Sequence, residues 1–250
     1  MTRPIVTTDV RGQLVFLGTG TSVGVPVIGC GCPTCTSADP RNNRTRCGLV
    51  LGLPEGNLLV DTTPDMRSQL LREKLGIIHA TLYTHDHADH VFGLDDLRLF
   101  PYYLGHPMPV YCEAQVEARI RKSFDYAFAA AAKEYGGGVP QLVFHPITTE
   151  PFEVLGFRFG NIAYCTDTNR IPEESWPLLE GLDVLVLDAL RPKPHATHFS
   201  LDEAVAVAEK VGAKRTLFTH MSHDLEHSKT NALLPTGMEL AYDGLKIPLS

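Results

Sequence analysis

The segment TLYTHDHADHVFGLDD, residues 81–96, concentrates side chains that can ligate metal ions. His85, His87, Asp89 and His90 fall within six positions, directly after the apolar run ATLYT. His85 and His87 can converge on one cation if the chain stays extended, and the other two can reach a second. Imidazole and carboxylate ligands together suit Zn²⁺, Mn²⁺ or Fe²⁺. A solvated polar loop is the alternative, although such loops seldom carry this density of ligands after a buried strand.

Two other apolar runs end at a residue of the same kind. Asp167 comes just after NIAYC, and His220 ends RTLFTH. In layered α/β folds, polar residues at strand ends lie at the edge where ligands bind. A carboxylate can also bridge two cations about 3.5–4 Å apart, as in two-metal hydrolases. The shared placement predicts that both residues join the metal centre, although each taken singly would be an ordinary capping or surface residue.

Short apolar runs alternate with amphipathic segments, and these predict the elements that position the ligands. Strand-like runs lie at 13–18, 48–53, 57–62, 80–84, 182–190 and 214–220, and helical patterns at 64–75, 93–104, 113–135 and 200–212. Ser200 is predicted as the N-cap of the last helix, with Glu203 completing a capping box and Gly212 ending the helix. Since no low-complexity linker or repeat interrupts the chain, we predict one α/β domain over residues 1–250.

The composition is that of a globular protein and argues against general affinity for nucleic acid or anionic membranes. The chain has 22 Lys and Arg against 29 Asp and Glu, a net charge of −7, with 44% hydrophobic residues. No apolar run approaches the ~20 residues that span a bilayer. The N-terminal stretch MTRPIVTTDVRG lacks the apolar core of a secretory signal. We therefore expect a cytoplasmic protein whose six cysteines are thiols or metal ligands.

A second cluster of ligands lies in the motif GCGCPTC. It contains Cys30, Cys32 and Cys35, three thiols within six positions. In a cytoplasmic chain this spacing predicts a structural zinc site, which needs a fourth ligand from elsewhere. A redox-active Cys-x-x-Cys pair is the alternative interpretation.

The polar residues at the strand ends together resemble the motif of the metallo-β-lactamase-fold hydrolases. The resemblance covers nearly the whole chain. The residues that carry it are Asp61 in LLVDTTPD, His85, His87, Asp89, His90, Asp167 and His220. The resemblance implies an α/β (α+β) fold, a four-layer αββα sandwich with a two-metal site at one edge. It implies that His85 and His87 hold the first metal and that Asp167 bridges. Asp89, His90 and His220 would hold the second metal. Asp61 would orient a ligand without touching metal.

The N-terminal stretch GTGTSVGVPVIGCGCPTC is similar to the phosphoribosyl 1,2-cyclic phosphate phosphodiesterases of this fold family. That likeness implies a zinc held by the cysteine triad and by a histidine beyond the last metal-ligand histidine, a place that His223 fills. It also implies that His198 acts on the phosphate or the leaving group, worth ~10²–10⁴-fold for a general acid. His195 matches this role less well, and the alternative for His198 is a residue that only flanks the helix.

The chain departs from the family in the segment EPFEVLGFRFGNIAYCTD. In the family, a hairpin before the bridging aspartate supplies a third histidine to the first metal, and this segment contains no histidine. The upstream His145 is the alternative third ligand, although its context matches an earlier strand of the family. His85, His87 and the Asp167 bridge would then hold the first metal weakly.

Three functions stay open at the level of the sequence. The first is a hydrolase that cleaves a small cyclic phosphodiester, such as phosphoribosyl 1,2-cyclic phosphate or a nucleotide, using two Zn²⁺ or Mn²⁺ ions, with Asp89 and His198 as catalytic residues. The second is an enzyme like the coenzyme pyrroloquinoline quinone synthesis protein B, which carries a similar cysteine cluster. The third is a non-catalytic scaffold that keeps only the structural zinc. We expect a small phosphodiester as partner and neither membrane nor nucleic acid, with homodimerisation open.

Overall fold

Two β-sheets organise the chain, which a computed structural model describes for residues 4–129, 138–148 and 154–249. A seven-stranded sheet lies in a first unit, formed by Met1–Leu17, Gly48–Glu153 and Lys246–Pro248. A five-stranded sheet lies in a second unit, formed by Gly18–Cys47, Val154–Leu245 and Leu249–Ser250. Each unit combines its sheet with helices, so the predicted mixed α/β class with two sheets flanked by helices is confirmed. That residues 1–250 fold as a single domain stays a prediction.

The sheet of the first unit has the strand order β12-β1-β2-β3-β4-β5-β6. β12 pairs antiparallel with β1, and β2 with β3, whereas the strands from β3 to β6 run parallel. The elements of this unit are β1 (Gln13–Gly18), β2 (Gly48–Leu53), β3 (Gly56–Val60), β4 (Ala80–Leu82), β5 (Met108–Cys112), β6 (Leu142–Pro146) and β12 (Lys246–Pro248), with α1 (Met66–Glu73), α2 (Ala88–Val91), α3 (Phe100–Leu104) and α4 (Ala114–Ser123).

The sheet of the second unit has the order β11-β10-β9-β8-β7. The strands from β8 to β11 are parallel, and β7 pairs antiparallel with β8. The elements of this unit are β7 (Phe157–Phe159), β8 (Ile162–Cys165), β9 (Val184–Asp188), β10 (Arg215–Thr219) and β11 (Met238–Leu240), with α5 (Leu201–Val211) and α6 (His227–Asn231). In the described part of the chain, no helix combines the length and the apolar character that crossing a bilayer requires.

Parallel pairing places the predicted ligands in register at strand ends. In the first unit, Asp61 follows β3, and His85 lies three residues after the end of the neighbouring β4. In the second unit, Asp167 follows β8 and His220 follows β10, with Asp188 ending the strand between them. Because the carboxyl ends of parallel strands meet at the same edge of a sheet, each unit gathers its own polar cluster.

In each unit, helices pack through apolar side chains that recur at helical spacing in the sequence. In the first unit, α4 buries Val116 and Ile120, four positions apart on one helix face. In the second unit, α5 buries Ala204 and Ala208 at the same spacing, and these small side chains let the helix lie close to its sheet. These contacts hold the strand ends in place, since interiors at near-crystalline packing density resist displacement.

The structure corrects two helix predictions. The helix expected over 113–135 is interrupted early: α4 ends at Ser123, and a 3-10 turn follows at Asp125–Ala127. Phe124 leaves the helical region, with φ −122° and ψ 41°, as its ring packs into the core. The part of this prediction at 130–135 lies outside the described residues. The second correction concerns 93–104, which forms a 3-10 helix at Leu94–Leu99 and then α3.

The predicted capping box of α5 is confirmed. The Ser200 hydroxyl accepts a hydrogen bond from the Glu203 backbone N–H at 3.4 Å, and the Ser200 N–H donates to Glu203 Oε2 at 2.8 Å. The helix ends, as predicted, at Gly212, which has a left-handed φ of 67°. α5 therefore begins and ends where its sequence specifies.

Ser200→Ala should lower the free energy of unfolding by about 0.5–2 kcal/mol, because the first turn of α5 loses its side-chain acceptor. Urea denaturation measures the change. Ser68→Ala, at an exposed position inside α1, is the matched control and should be neutral or slightly stabilising, since alanine favours helix interiors. Equal effects of the two substitutions would contradict a capping role for Ser200.

Candidate metal centres

The histidine motif folds into a tight group in the first unit. The chain is extended at His87, with φ −67° and ψ 154°, and α2 begins at the next residue. The ring centroid of His85 lies 4.5 Å from that of His87 and 4.2 Å from that of His90. Asp89 Oδ2 lies 3.4 Å from His90 Nε2. The structure therefore brings these four predicted ligands together within one unit.

Asp61 orients two of these histidines. Its carboxylate accepts hydrogen bonds from His90 Nδ1 at 2.8 Å and from the N–H and hydroxyl of Thr84 at 2.9 and 2.8 Å. Because the Thr84 hydroxyl gives its only proton to Asp61, it accepts from His85 Nδ1, 2.9 Å away. Both imidazoles thus carry the Nδ1–H tautomer, with the lone pair that a cation accepts on Nε2. Burial raises the pKa of Asp61, and the donors from His90 and Thr84 oppose that effect.

The second unit gathers the other two predicted ligands and a residue that the sequence analysis missed. Asp167 Oδ1 lies 3.3 Å from His220 Nε2. His198 stacks on His220 with ring centroids 4.7 Å apart and an interplanar angle of 15°. The missed residue is Asp188, whose Oδ2 accepts from His198 Nδ1 at 2.8 Å and from the Thr168 N–H at 2.9 Å. Burial raises the pKa of Asp188. The available signal was an acidic residue near the end of the apolar run LDVLVLDAL, a placement similar to that of Asp167.

The backbone at three of the polar strand ends adopts a left-handed conformation. Asp61, Asp167 and His220 have φ of 64°, 52° and 59°. They are three of the four non-glycine residues with positive φ in the described ranges, the fourth being Lys74 at the end of α1. Such conformations cost about 1–3 kcal/mol and tend to occur at functional sites. The fold therefore accepts backbone strain to aim these three side chains.

The cysteine cluster closes on His223 within the second unit. The Sγ atoms of Cys30, Cys32 and Cys35 lie 3.3, 3.5 and 3.4 Å from His223 Nδ1. A tetrahedral zinc ion with ordinary bond lengths separates its sulfur and nitrogen ligands by about 3.5 Å. The donor set and its spacing therefore fit a structural zinc. The backbone N–H of Cys35 lowers the pKa of Cys32 to about 7, whereas burial raises the pKa of Cys35 to about 11.

Two other histidines that the sequence singled out lie apart from these clusters. His145 is exposed in β6 and stacks on Tyr111, with centroids 4.9 Å apart, so it belongs to the earlier strand as predicted. Among the described residues it joins none of the groups that could hold a metal ion. His195 is exposed, 5.2 Å from the His198 ring, and contacts Thr197. The histidine that forms a hydrogen bond with the buried Asp188 is therefore His198 and not His195.

A model of the beta-lactamase superfamily domain matches residues 56–221. The chain belongs to this superfamily. The members of the superfamily are generally hydrolases, and the predicted metallo-β-lactamase fold is confirmed. A crystal structure of a diphosphatase from the PhnP family is 44% identical, with a TM-score of 0.86, over 94% of this chain and 96% of that chain. Zinc-bound PqqB from Methylobacterium extorquens shares the fold at 22% identity and a TM-score of 0.76, over 95% of this chain and 100% of that one.

Curated relatives of this superfamily chain carry other names. An octanoyltransferase of Porphyromonas gingivalis is 32% identical over 94% of this chain and 51% of its own length. A coenzyme PQQ synthesis protein B of Methylobacterium sp. (strain 4-46) is 40% identical over 34% of this chain and 33% of its own length. The chain therefore spans about half or less of the length of these relatives.

The substitution Cys35→Ser should weaken zinc binding at the cysteine site by at least ~10–100-fold, because a thiolate ligand is lost. Zinc content by mass spectrometry and the melting temperature should both fall. Cys112→Ser, at a buried cysteine of the first unit, should lower the melting temperature while leaving the zinc content unchanged. An unchanged zinc content in Cys35→Ser would contradict the assignment.

Proposed function

We propose that this chain is a metal-dependent phosphodiesterase that hydrolyses a small phosphodiester. The observation that carries the proposal is the 44% identity to a diphosphatase of the PhnP family over nearly the full length of both chains. The imidazole tautomers set by Asp61 and Asp188 support it, because they present Nε2 atoms suited to ligation and proton transfer. The substrate is a cyclic phosphodiester, such as phosphoribosyl 1,2-cyclic phosphate, or a related nucleotide.

This proposal includes a binuclear metal centre built from the predicted ligands. His85 and His87 would hold the first metal, and Asp89, His90 and His220 would hold the second. Asp167 would serve both. When bound, two Zn²⁺ or Mn²⁺ ions supply Lewis acidity and lower the pKa of water near the phosphorus. Asp61 keeps His85 and His90 in the ligating tautomer through Thr84 and through its own carboxylate.

His198 is the general acid of the proposed reaction. Its Nδ1–H is held by the buried Asp188 carboxylate at 2.8 Å, so in the doubly protonated ring the Nε2–H bond is the one that breaks, and its proton goes to the departing oxygen. The stacking of His198 on His220 brings this proton donor beside a proposed metal ligand. Asp188 is a positioning residue in this proposal, since it acts through its hydrogen bond to His198.

A second candidate is an activity like that of the coenzyme PQQ synthesis protein B. The 40% identity over 101 residues favours it, but that match covers a third of this chain. Measurable hydrolysis of a simple phosphodiester by the metal-loaded protein separates the first candidate from the second. A non-catalytic scaffold would bind the structural zinc alone and hydrolyse nothing.

Metal titration with a parallel assay on bis(p-nitrophenyl) phosphate tests the proposed function. Besides the zinc at the cysteine site, we expect one tight and one weak catalytic metal, because the sequence EPFEVLGFRFG offers no third imidazole to the first position. A missing ligand should weaken that site by at least the ~10–100-fold that supporting residues alone contribute. Activity should rise only as the weak site fills.

The same argument gives a gain-of-function variant. A histidine-bearing hairpin inserted between Val154 and Leu155 should tighten the weak site and raise turnover. The identical hairpin with alanine in place of the histidine is the matched control. Two equally tight catalytic metals in the natural chain would refute the missing-ligand hypothesis, and saturating metal without hydrolysis would refute the phosphodiesterase.

The role of His198 predicts a dependence on the leaving group. His198→Ala should lower kcat by about 10²–10⁴-fold for a diester with an alkoxide leaving group. The loss should be much smaller for bis(p-nitrophenyl) phosphate, whose leaving group departs without a proton. Asp188→Asn should share this pattern more weakly, and the exposed His195→Ala should not. Loss of metal from His198→Ala would assign His198 to ligation instead.

A further inference from the structure

The second unit contains a buried arginine that no part of the proposed reaction uses. Among the residues that the structure describes, Arg44 is the largest fully buried side chain, with 1% of its surface exposed. Burial lowers the pKa of its guanidinium to about 10, which leaves it charged near neutral pH. Burying a charged group costs several kcal/mol unless its donors are satisfied. The hydrogen-bond partners of Arg44 therefore indicate which structural role this unfavourable burial serves.

The guanidinium of Arg44 grips both ends of one turn. Its Nη1 donates to the Ser222 carbonyl at 2.8 Å, and its Nη2 donates to the Leu225 carbonyl. These two residues flank His223, the histidine of the proposed zinc site. The planar guanidinium presents its donors in a fixed fork, so two carbonyls bound together have a defined separation. Arg44 thus fixes the backbone on either side of His223.

The neighbouring side chain of Asn42 forms hydrogen bonds with the residues that follow this turn. Asn42 Oδ1 accepts from the His227 N–H at 2.8 Å and, at 3.4 Å, from Arg44 Nη2. Asn42 Nδ2 donates to Glu226 Oε1 at 2.9 Å. Asn42 and Arg44 lie in the loop that also carries the three cysteines, within Gly18–Cys47. Asn42 and Arg44 therefore join the cysteine loop to the turn that bears His223.

The acceptors of the Arg44 hydrogen bonds are two backbone carbonyl oxygens and the amide oxygen of Asn42, and none of these three bonds goes to a carboxylate. An arginine retained for charge pairing would be expected to face a carboxylate in a bidentate arrangement. A buried cation that donates to backbone carbonyls instead stabilises the conformation of that backbone. The geometry fits a positioning function better than an ion pair.

We propose that Arg44 is a positioning residue of the zinc site. It holds His223 where Nδ1 can serve as the fourth zinc ligand beside the thiolates of Cys30, Cys32 and Cys35. The inference rests on the zinc site proposed above and gives that site its mechanical support. Ser222 also lies two residues after His220, so the same hydrogen bond restrains the segment that leaves this proposed catalytic ligand. Arg44 therefore links the cysteine loop to both histidines of the segment.

The rate of zinc transfer from the purified, zinc-loaded protein to a chromogenic chelator tests the proposal. Arg44→Met should release the zinc at least ~10-fold faster, in the range found when groups that support metal ligands are removed. Arg44→Lys should fall between this variant and the natural chain, because lysine keeps the charge but lacks the fork. Assays run well below the melting temperature of every variant.

Two controls separate positioning from general destabilisation. Arg41→Met removes an exposed arginine of the same loop, which pairs with Asp39. Val205→Ala weakens the packing of α5 in the core of this unit. Both should release zinc at the natural rate. Release by Val205→Ala as fast as by Arg44→Met would overturn the proposal, as would a natural rate in Arg44→Met.

Arg44→Lys carries the test if Arg44→Met fails to fold: faster release than in Arg41→Met supports the proposal, and an equal rate overturns it. A natural chain that takes up no zinc at the cysteine site would also overturn it. That result would leave the phosphodiesterase standing, because its hydrolysis is measured separately. Conversely, an inactive protein with Arg44-dependent zinc release would refute only the proposed reaction.

Discussion

The buried carboxylate of Asp61 is the constraint on which the histidine motif depends. It accepts three hydrogen bonds, two from Thr84 and one from His90, and through the Thr84 hydroxyl it also fixes the tautomer of His85. Without these acceptors the two imidazoles could rotate or exchange tautomers, and their Nε2 lone pairs would not be directed. A motif of ligand-type residues becomes a candidate metal site only when such a shell orients it.

The second unit repeats this arrangement with a different carboxylate. Asp188 holds Nδ1 of His198, while the backbone strain at Asp167 and His220 turns their side chains toward each other. In both units the carboxylate is buried at the end of a strand that has a parallel neighbour. Burial strengthens each hydrogen bond, because little water competes for the donor. The strand ends thus hold imidazole and carboxylate groups in fixed orientations.

Family membership and site geometry inform the function at different levels. The superfamily match establishes the fold, and donor types and tautomers show what each cluster can hold. The chemical class of the substrate depends on finer features, and the names of the relatives differ even where the fold is shared. Fold and function separate in this way because function lies in a few side chains at the sheet edges, which can change while the core is retained.

Local patterns in the sequence determined much of this protein. The strands at 13–18 and 48–53, the capping box of Ser200 and the ligand types of the histidine and cysteine motifs follow from neighbouring residues alone. The tertiary structure decided what depends on distant partners. It decided that α4 ends where Phe124 enters the core and that Asp188 orients His198. It also decided that Arg44 supports a turn some 180 residues away. Periodicity and capping act within a few residues, whereas a hydrogen-bond partner far along the chain is specified only once the strands have paired.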